Sequence, residues 1–397
     1  NGAPDGILES EALELAKRSE AVLLFLGLDD CQEMEGCDRR HMRLAERQLR
    51  LLRKLARVNP HILVVLNGGA PVEMGWEEHC EAIVYGSLSG QAGAEAMLRI
   101  LAGEVNPSGR LSETFPFLYR DVPSAGYFPG KERNAEYRES LYVGYRYYTT
   151  VKKPVRYPFG YGLSYTSFEY ADLQAEQGKA SFLLKNTGKR EGAEVVQLYI
   201  SPKVHGVFRP VRELKGFAKV HLKPGESKRV VIPLDDKAFR YYNTVTDRFE
   251  IESGEYELQI CSDCETVRLS CTAMVKGTGA PLPINPLWIP SYFSGNITAV
   301  DDREFESLYG HRIPSGRWEG ELTMNDAFCQ LFYAKNPVAR LYCRYLQGKV
   351  QDAEKRELED PKAFSNFDRS FRSLSKTTDG AVSGKMAEGL LMITNGS

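Results

Sequence analysis

Ala21-Val-Leu-Leu-Phe-Leu-Gly-Leu28 is an apolar run that passes into an acidic segment, Asp29-Asp-Cys-Gln-Glu-Met-Glu-Gly-Cys-Asp-Arg-Arg-His41. The run has the length and near-continuous apolarity of a strand buried on both faces, as in a parallel sheet. Beyond it, Asp29, Asp30, Glu33, Glu35 and Asp38 crowd into ten residues. From about Arg43 the apolar positions Leu44, Leu49, Leu51, Leu52 and Leu55 fall at helical spacing, with Arg, Glu, Gln and Lys on the other face. The segment therefore predicts strand, loop and helix. Ligands of open α/β sheets sit beyond the carboxyl ends of the strands, where this loop falls. Carboxylates gathered there suggest acid–base chemistry. A solvated acidic turn, balanced by Arg39 and Arg40, is the competing reading, and composition alone leaves it open.

The flanking sequence repeats the pattern. Residues 7–19 read as an amphipathic helix feeding the strand. Asn59-Pro60 breaks the next helix, and His61-Ile-Leu-Val-Val-Leu66 predicts a second buried strand ending in Asn67-Gly-Gly-Ala-Pro-Val72. The glycines there permit a tight turn or a close backbone approach. A third strand, Ala82-Ile-Val-Tyr85, leads through Gly86-Ser-Leu-Ser-Gly-Gln-Ala-Gly93 into a helix from Ala94 to Ala102. Such alternation predicts an α/β sandwich, a mostly parallel sheet with helices on both faces. Neither glycine-rich turn fits GxGxxG, and GxxxxGK[ST] is absent, so no nucleotide site is expected.

From Phe168 the chain changes to short alternating strands, among them 180–185, 194–200, 229–234 and 255–260. Asn186-Thr-Gly188, Lys223-Pro-Gly225, Asp235-Asp236 and Ser253-Gly254 supply the turns. This predicts an all-β sandwich of about a hundred residues. Residues 277–321, rich in Pro, Gly and Ser, read as a surface-wrapping linker. Residues 322–397 read as helical, with runs from Asn325 to about Gly348 and from Lys385 to Ile393. The expected division is thus 1–168, 169–276, 277–321 and 322–397.

A chain of 397 residues is long enough for several cores, and its formal charge of −2 gives no reason to expect nucleic acid or an anionic membrane as partner. No apolar run approaches the roughly 20 residues that span a bilayer. The start, Asn1-Gly-Ala-Pro-Asp5, shows neither the basic nor the apolar region of a secretion signal. The eight cysteines lack the spacing of a disulfide framework, and Cys261-Ser-Asp-Cys264 is a lone CxxC closing a strand-like run. Free thiols in a reducing cytoplasm are the expectation, with no metal and no cofactor.

The order of residues in the acidic loop carries more than its composition. Gly27-Leu28-Asp29 followed by Glu33-x-Glu35-Gly36-x-Asp38-Arg39 resembles the acid/base loop of glycoside hydrolase family 3, the β-glucosidase and β-xylosidase family. The chain departs from the family pattern at Cys37, where an aromatic residue often stands, and at Leu44-Ala45, where the helix usually opens Leu-Pro. The resemblance continues through Gly103-x-x-Asn106-Pro-Ser-Gly-Arg-Leu111, Thr114-Phe-Pro116 and Tyr137-x-Glu139-Ser140-x-x-Val143-Gly-Tyr-Arg-Tyr147. It ends the sandwich at Pro158-Phe-Gly-Tyr-Gly-Leu-Ser-Tyr-Thr166. The β region resembles the family's fibronectin type III-like domain, with buttressing as its expected role. Residues 383–396 resemble the tail of certain clostridial-type, hence bacterial, members.

The resemblance implies that Glu35 is the general acid/base of a retaining β-glycosidase, with Glu33 the fallback and Asp38 and Arg39 binding substrate. The expected substrate is a terminal β-glucoside or oligosaccharide. Family members carry their aspartate nucleophile on an N-terminal (β/α)8 barrel, and no barrel or opening strand lies ahead of Ile7. The barrel portion, in the same or a separate chain, is therefore the expected partner, with homo-oligomerisation left open. Of different class is a non-catalytic carbohydrate-binding or scaffold protein on the same fold; a β-xylosidase is the nearer alternative.

Overall fold

The computed structural model describes residues 5–29, 32–33, 38–39, 41–130, 133–176, 178–318, 320–356 and 360–396. Helix α1 (Asp5–Lys17) precedes strand β1 (Val22–Gly27). Helix α2 (Glu46–Ala56), β2 (Ile62–Asn67), β3 (Ala82–Ser87), α3 (Gly93–Leu101) and α4 (Tyr145–Val151) follow. Among the described residues the parallel sheet has three strands in the order β1-β2-β3.

Val22, Leu24 and Leu26 stand in register with Ile62, Val64 and Leu66. That face packs on Ala16 of α1 and on Leu52 and Leu55 of α2. On the opposite face α3 sets Met97 against Gly86 of β3, and Val65 is buried. The expectation that β1 is buried on both faces meets a difference here. Leu23 and Phe25 are 42% and 59% exposed, because β1 lies at the edge of the sheet, beyond the reach of α3. The apolar run thus records burial that the described residues supply on one side only.

The strands β4 (Phe168–Glu176), β5 (Lys179–Asn186), β6 (Gly192–Pro202), β7 (Glu213–Leu222), β8 (Ser227–Pro233), β9 (Arg240–Asn243), β10 (Arg248–Ile251), β11 (Gly254–Cys261) and β12 (Val267–Val275) come next. They form antiparallel sheets of order β4-β5-β8 and β12-β11-β6-β7, plus the hairpin β9-β10, which alternation alone did not reveal. Phe182, Leu184 and Ile232 of the first sheet meet Leu198, Leu258 and Ile260 of the second in one core.

The sandwich is fastened to the α/β region through polar groups aimed across the seam. Arg110 donates to Glu194 at 2.9 Å, with side chains only 8% and 7% exposed. Gln197 donates across the seam to the carbonyl of Gly160, at 3.1 Å, and within the sandwich to that of Ser262, at 2.8 Å. A Cβ at Gly160, which has φ of +82°, would lie 2.3 Å from the Gln197 amide oxygen, so glycine is required there. Cys261 and Cys264 are free thiols packed in this seam with Tyr145 and Tyr199. Burial pushes the Cys261 thiol up to about 12, far from a reactive thiolate.

Residues 277–321 carry more structure than their composition implies. Helices α5 (Pro290–Ser294) and α6 (Asp302–Tyr309) lie within them. Ile289, Tyr292, Ile297 and Val300 are buried against Tyr142, Tyr147 and Tyr148 of the first region. Arg138 adds a hydrogen bond to Asp302 at 2.6 Å. The final region holds α7 (Pro337–Arg356), α8 (Pro361–Phe367), α9 (Leu374–Thr377) and α10 (Gly384–Asn395). The helical run expected over 325–348 is divided. Residues 328–333 are a tighter 3-10 segment, α7 begins at Pro337, where the missing N–H costs nothing, and Gly348 does not end it. No helix among the described residues is long and apolar enough to cross a membrane.

Candidate functional site

The acidic loop leaves β1 at the carboxyl end of the sheet. Its exit is fixed by a close approach: a Cβ on Gly27 would lie 2.4 Å from the Asn67 carbonyl oxygen. Gln48 of α2 caps the free edge there, accepting from Gly27 N at 3.0 Å and donating to Gly27 O at 2.9 Å. Asp29 then begins a turn, its carbonyl accepting from Gln32 N at 2.9 Å and Glu33 N at 3.1 Å.

The loop settles onto the turn that follows β2. The Glu33 carboxylate accepts from Gly69 N, and Arg39 Nη1 donates to the Pro71 carbonyl at 3.2 Å. Met42 O accepts from Glu73 N at 2.6 Å. The turn is braced from behind by Tyr85, whose hydroxyl donates to Gly68 O at 2.7 Å. Gln32, Glu33, Asp38, Arg39, His41, Gly69, Leu88, Tyr119 and Phe128 border an open cavity of about 460 Å³.

Of the residues expected to act, Glu35 lies outside the described residues, as do Gly36, Cys37 and Arg40. Glu33, Asp38 and Arg39 all border the cavity. Asp38 is exposed and Arg39 half-buried. Burial lowers the Arg39 pKa, while Glu33, Glu113 and Tyr85 favour its charged form. Its Nε and Nη2 are buried and have no hydrogen-bond partner among the described residues, leaving two donors uncommitted. Burial, with help from Arg43 and Arg39, holds the His41 imidazole below its ordinary value. Desolvation raises the Glu113 carboxyl, and Arg39 opposes the shift.

Glu113, Tyr119 and Phe128 were not among the residues singled out from sequence. Glu113 immediately precedes Thr114-Phe-Pro116, and that adjacency was the available signal; Tyr119 and Phe128 had none. Among the described residues no group of three His, Cys, Asp or Glu side chains is placed to hold a metal ion.

Residues 6–165 match the glycosyl hydrolase family 3 C-terminal domain, and residues 194–264 match the fibronectin type III-like domain. The thermostable β-glucosidase B of Acetivibrio thermocellus is 43% identical over 286 residues, which cover 70% of this chain and 38% of that protein. An exo-α-(1→6)-L-arabinopyranosidase of Bifidobacterium breve is 39% identical over 307 residues, 75% of this chain and 41% of that one. Among solved structures, a β-glucosidase of Bifidobacterium adolescentis superposes with a TM-score of 0.68 at 37% identity, covering 75% of this chain and 46% of that one. A Kluyveromyces marxianus β-glucosidase in complex with glucose gives 0.66 at 37% identity, over 70% of this chain and 34% of that one. The chain thus spans about two fifths of the length of the curated relatives it matches. At the level of its domains the chain belongs to glycosyl hydrolase family 3, with the family's C-terminal domain in residues 6–165 and a fibronectin type III-like domain behind it.

Proposed function

We propose that this chain is the acid/base-bearing part of a retaining β-glycosidase acting on terminal β-D-glucosyl residues. Retention requires two carboxyl groups about 5–5.5 Å apart, one a nucleophile and one an acid/base. In this reading Glu35 protonates the departing oxygen and then deprotonates the water that hydrolyses the glycosyl-enzyme. The nucleophile comes from a barrel portion outside this chain. Asp38, exposed at the cavity, and Arg39, with two uncommitted donors, bind sugar hydroxyls.

The observation that carries the reading is the loop itself. Both described flanks of Glu35 are fastened to the turn after β2, beside an open cavity, at the strand ends where α/β sheets bind ligands. Similarity to β-glucosidases supports the choice of sugar, and the arabinopyranosidase among the relatives makes an arabinopyranoside a necessary second substrate to assay.

The isolated chain should release nothing from an aryl β-glucoside, and turnover abolished by Glu35→Gln would refute the division of labour. In the complete enzyme, general acid catalysis is worth about a hundred- to ten-thousand-fold. Glu35→Ala should cost that much on alkyl glucosides and far less on dinitrophenyl glucoside, whose leaving group needs no proton. Azide, which needs no base, should restore turnover and give the β-glycosyl azide. Equal loss on both substrates, with no rescue, would end the assignment.

A further inference from the structure

Glu33 and Arg39 stand on either side of residues 34–37, and both reach the same short turn. Glu33 accepts a hydrogen bond from the amide of Gly69, and Arg39 donates one to the carbonyl of Pro71, two residues further on. The two side chains also attract one another electrostatically. The turn is not free to follow them. Tyr85 fixes Gly68 from β3, and Leu28 N is bonded to Asn67 O at 3.1 Å. Gly69 leaves no spare room: an added Cβ would lie 2.9 Å from Glu33 Oε1 and 3.0 Å from Leu88 Cδ1.

We infer that Glu33 and Arg39 are a two-point clamp that fixes the acid/base loop to the turn after β2, and that Glu33 is a positioning residue with no part in proton transfer. The inference rests on the reading of Glu35 as the acid/base, and it gives Glu33, the other carboxylate of the loop, a separate task. One Glu33 carboxylate oxygen is committed as the acceptor of a backbone N–H. Its contribution is the placing of a neighbour, and a misplacement of about 1 Å can cost on the order of a hundredfold in rate.

The clamp needs an acceptor at position 33, not a titrating group, and this separates it from acid/base chemistry. Glu33→Gln keeps an amide oxygen for Gly69 N–H, whereas Glu33→Ala keeps nothing. Hydrogen exchange on this chain should show the Gly69 amide exchanging about five- to tenfold faster in Glu33→Ala, the worth of one hydrogen bond, and little changed in Glu33→Gln. Gly69→Ala, which crowds the same oxygen from the opposite side, should loosen residues 32–39 in the same way. Unchanged exchange in Glu33→Ala would overturn the clamp.

In the complete enzyme, Glu33→Gln should retain turnover of alkyl glucosides within a few-fold, with its pH profile intact. Glu33→Ala should lose about ten- to a hundredfold. A Glu33→Gln variant as crippled as Glu33→Ala, and lacking one limb of the pH profile, would make Glu33 the proton carrier and overturn the inference. A fully active Glu35→Gln variant would defeat the acid/base reading instead, and would leave the exchange result standing.

Discussion

The two edges of the α/β region are built in opposite ways. At the seam with the β sandwich buried polar side chains pair with one another and with the backbone: Arg110 with Glu194, Gln197 with two carbonyls, the Tyr145 hydroxyl with Leu214 N. At the β1 edge, Leu23 and Phe25 face outward, and Arg39 Nε and Nη2 have no partner among the described residues. One edge is covered by the sandwich. The other carries apolar and polar surface suited to a neighbour, as proposed for the barrel portion. Rigidity has been placed behind the loop, and openness in front of it.

Breaking the seam should have the largest effect on stability. Arg110→Ala leaves Glu194 buried without its partner, and removing one member of a buried pair costs about 3–5 kcal/mol. Burial already raises the Glu194 pKa, so protonation relieves part of this, and about 3 kcal/mol is expected from urea unfolding. A loss below about 1 kcal/mol would show that the seam is a surface contact.

The second test lies on a single strand. Leu26 is 4% exposed on the covered face of β1, and Leu26→Ala should cost about 2–4 kcal/mol through the cavity it leaves. If the cost were no greater than for its outward neighbours, the contrast between the two faces would fail.

Titration separates the edges from opposite ends of the pH scale. Cys261 has its pKa raised from 9.0 to about 12 by burial in the seam. The unfolded thiol ionises first, so its stabilisation is complete below pH 9 and is lost as pH climbs toward 12. His41, at the loop, is lowered from 6.5, so the unfolded chain takes up the proton first and stability falls as pH drops below 6.5. Each group contributes at most about 1.4 kcal/mol per pH unit. Cys261→Ala should flatten only the alkaline limb of a plot of melting temperature against pH, and His41→Asn only the acid limb. Either substitution acting on both limbs would deny that the edges are separate.

The smallest effect should come from Phe25→Lys on the outward face, within about 0.5 kcal/mol of wild type. The same substitution should abolish any self-association seen by size-exclusion chromatography, and a loss of more than about 2 kcal/mol would mean that this face is already covered.

What could be read from sequence followed what the chain finishes by itself. The parallel strands were legible as apolar runs, and the sandwich as alternation broken by turns, because both patterns record burial within the described residues. The outward face of β1 was not legible. Its composition matches a covered strand, and only the position of α3 shows that no cover reaches it. Residues 277–321 misled because Pro and Gly mark turns whether or not Ile289 and Tyr292 between them are buried. In the loop, carboxylate content pointed to the candidate site, but the separate task inferred for Glu33 needed Gly69, which becomes its neighbour only when β1 and β2 pair.

The packing of Tyr292 beneath Tyr142 also sets a schedule for synthesis. Their hydrogen bond joins positions 150 residues apart, with the whole β sandwich threaded between them. Translation proceeds at about 5–20 residues per second. The tyrosine cluster around Tyr142 must therefore wait roughly 8–30 s, with its rings uncovered, before the segment that buries it emerges from the ribosome. During that interval the core around Leu52 and Leu66 and the sandwich core can both form, and the tyrosine cluster is the part that stays open.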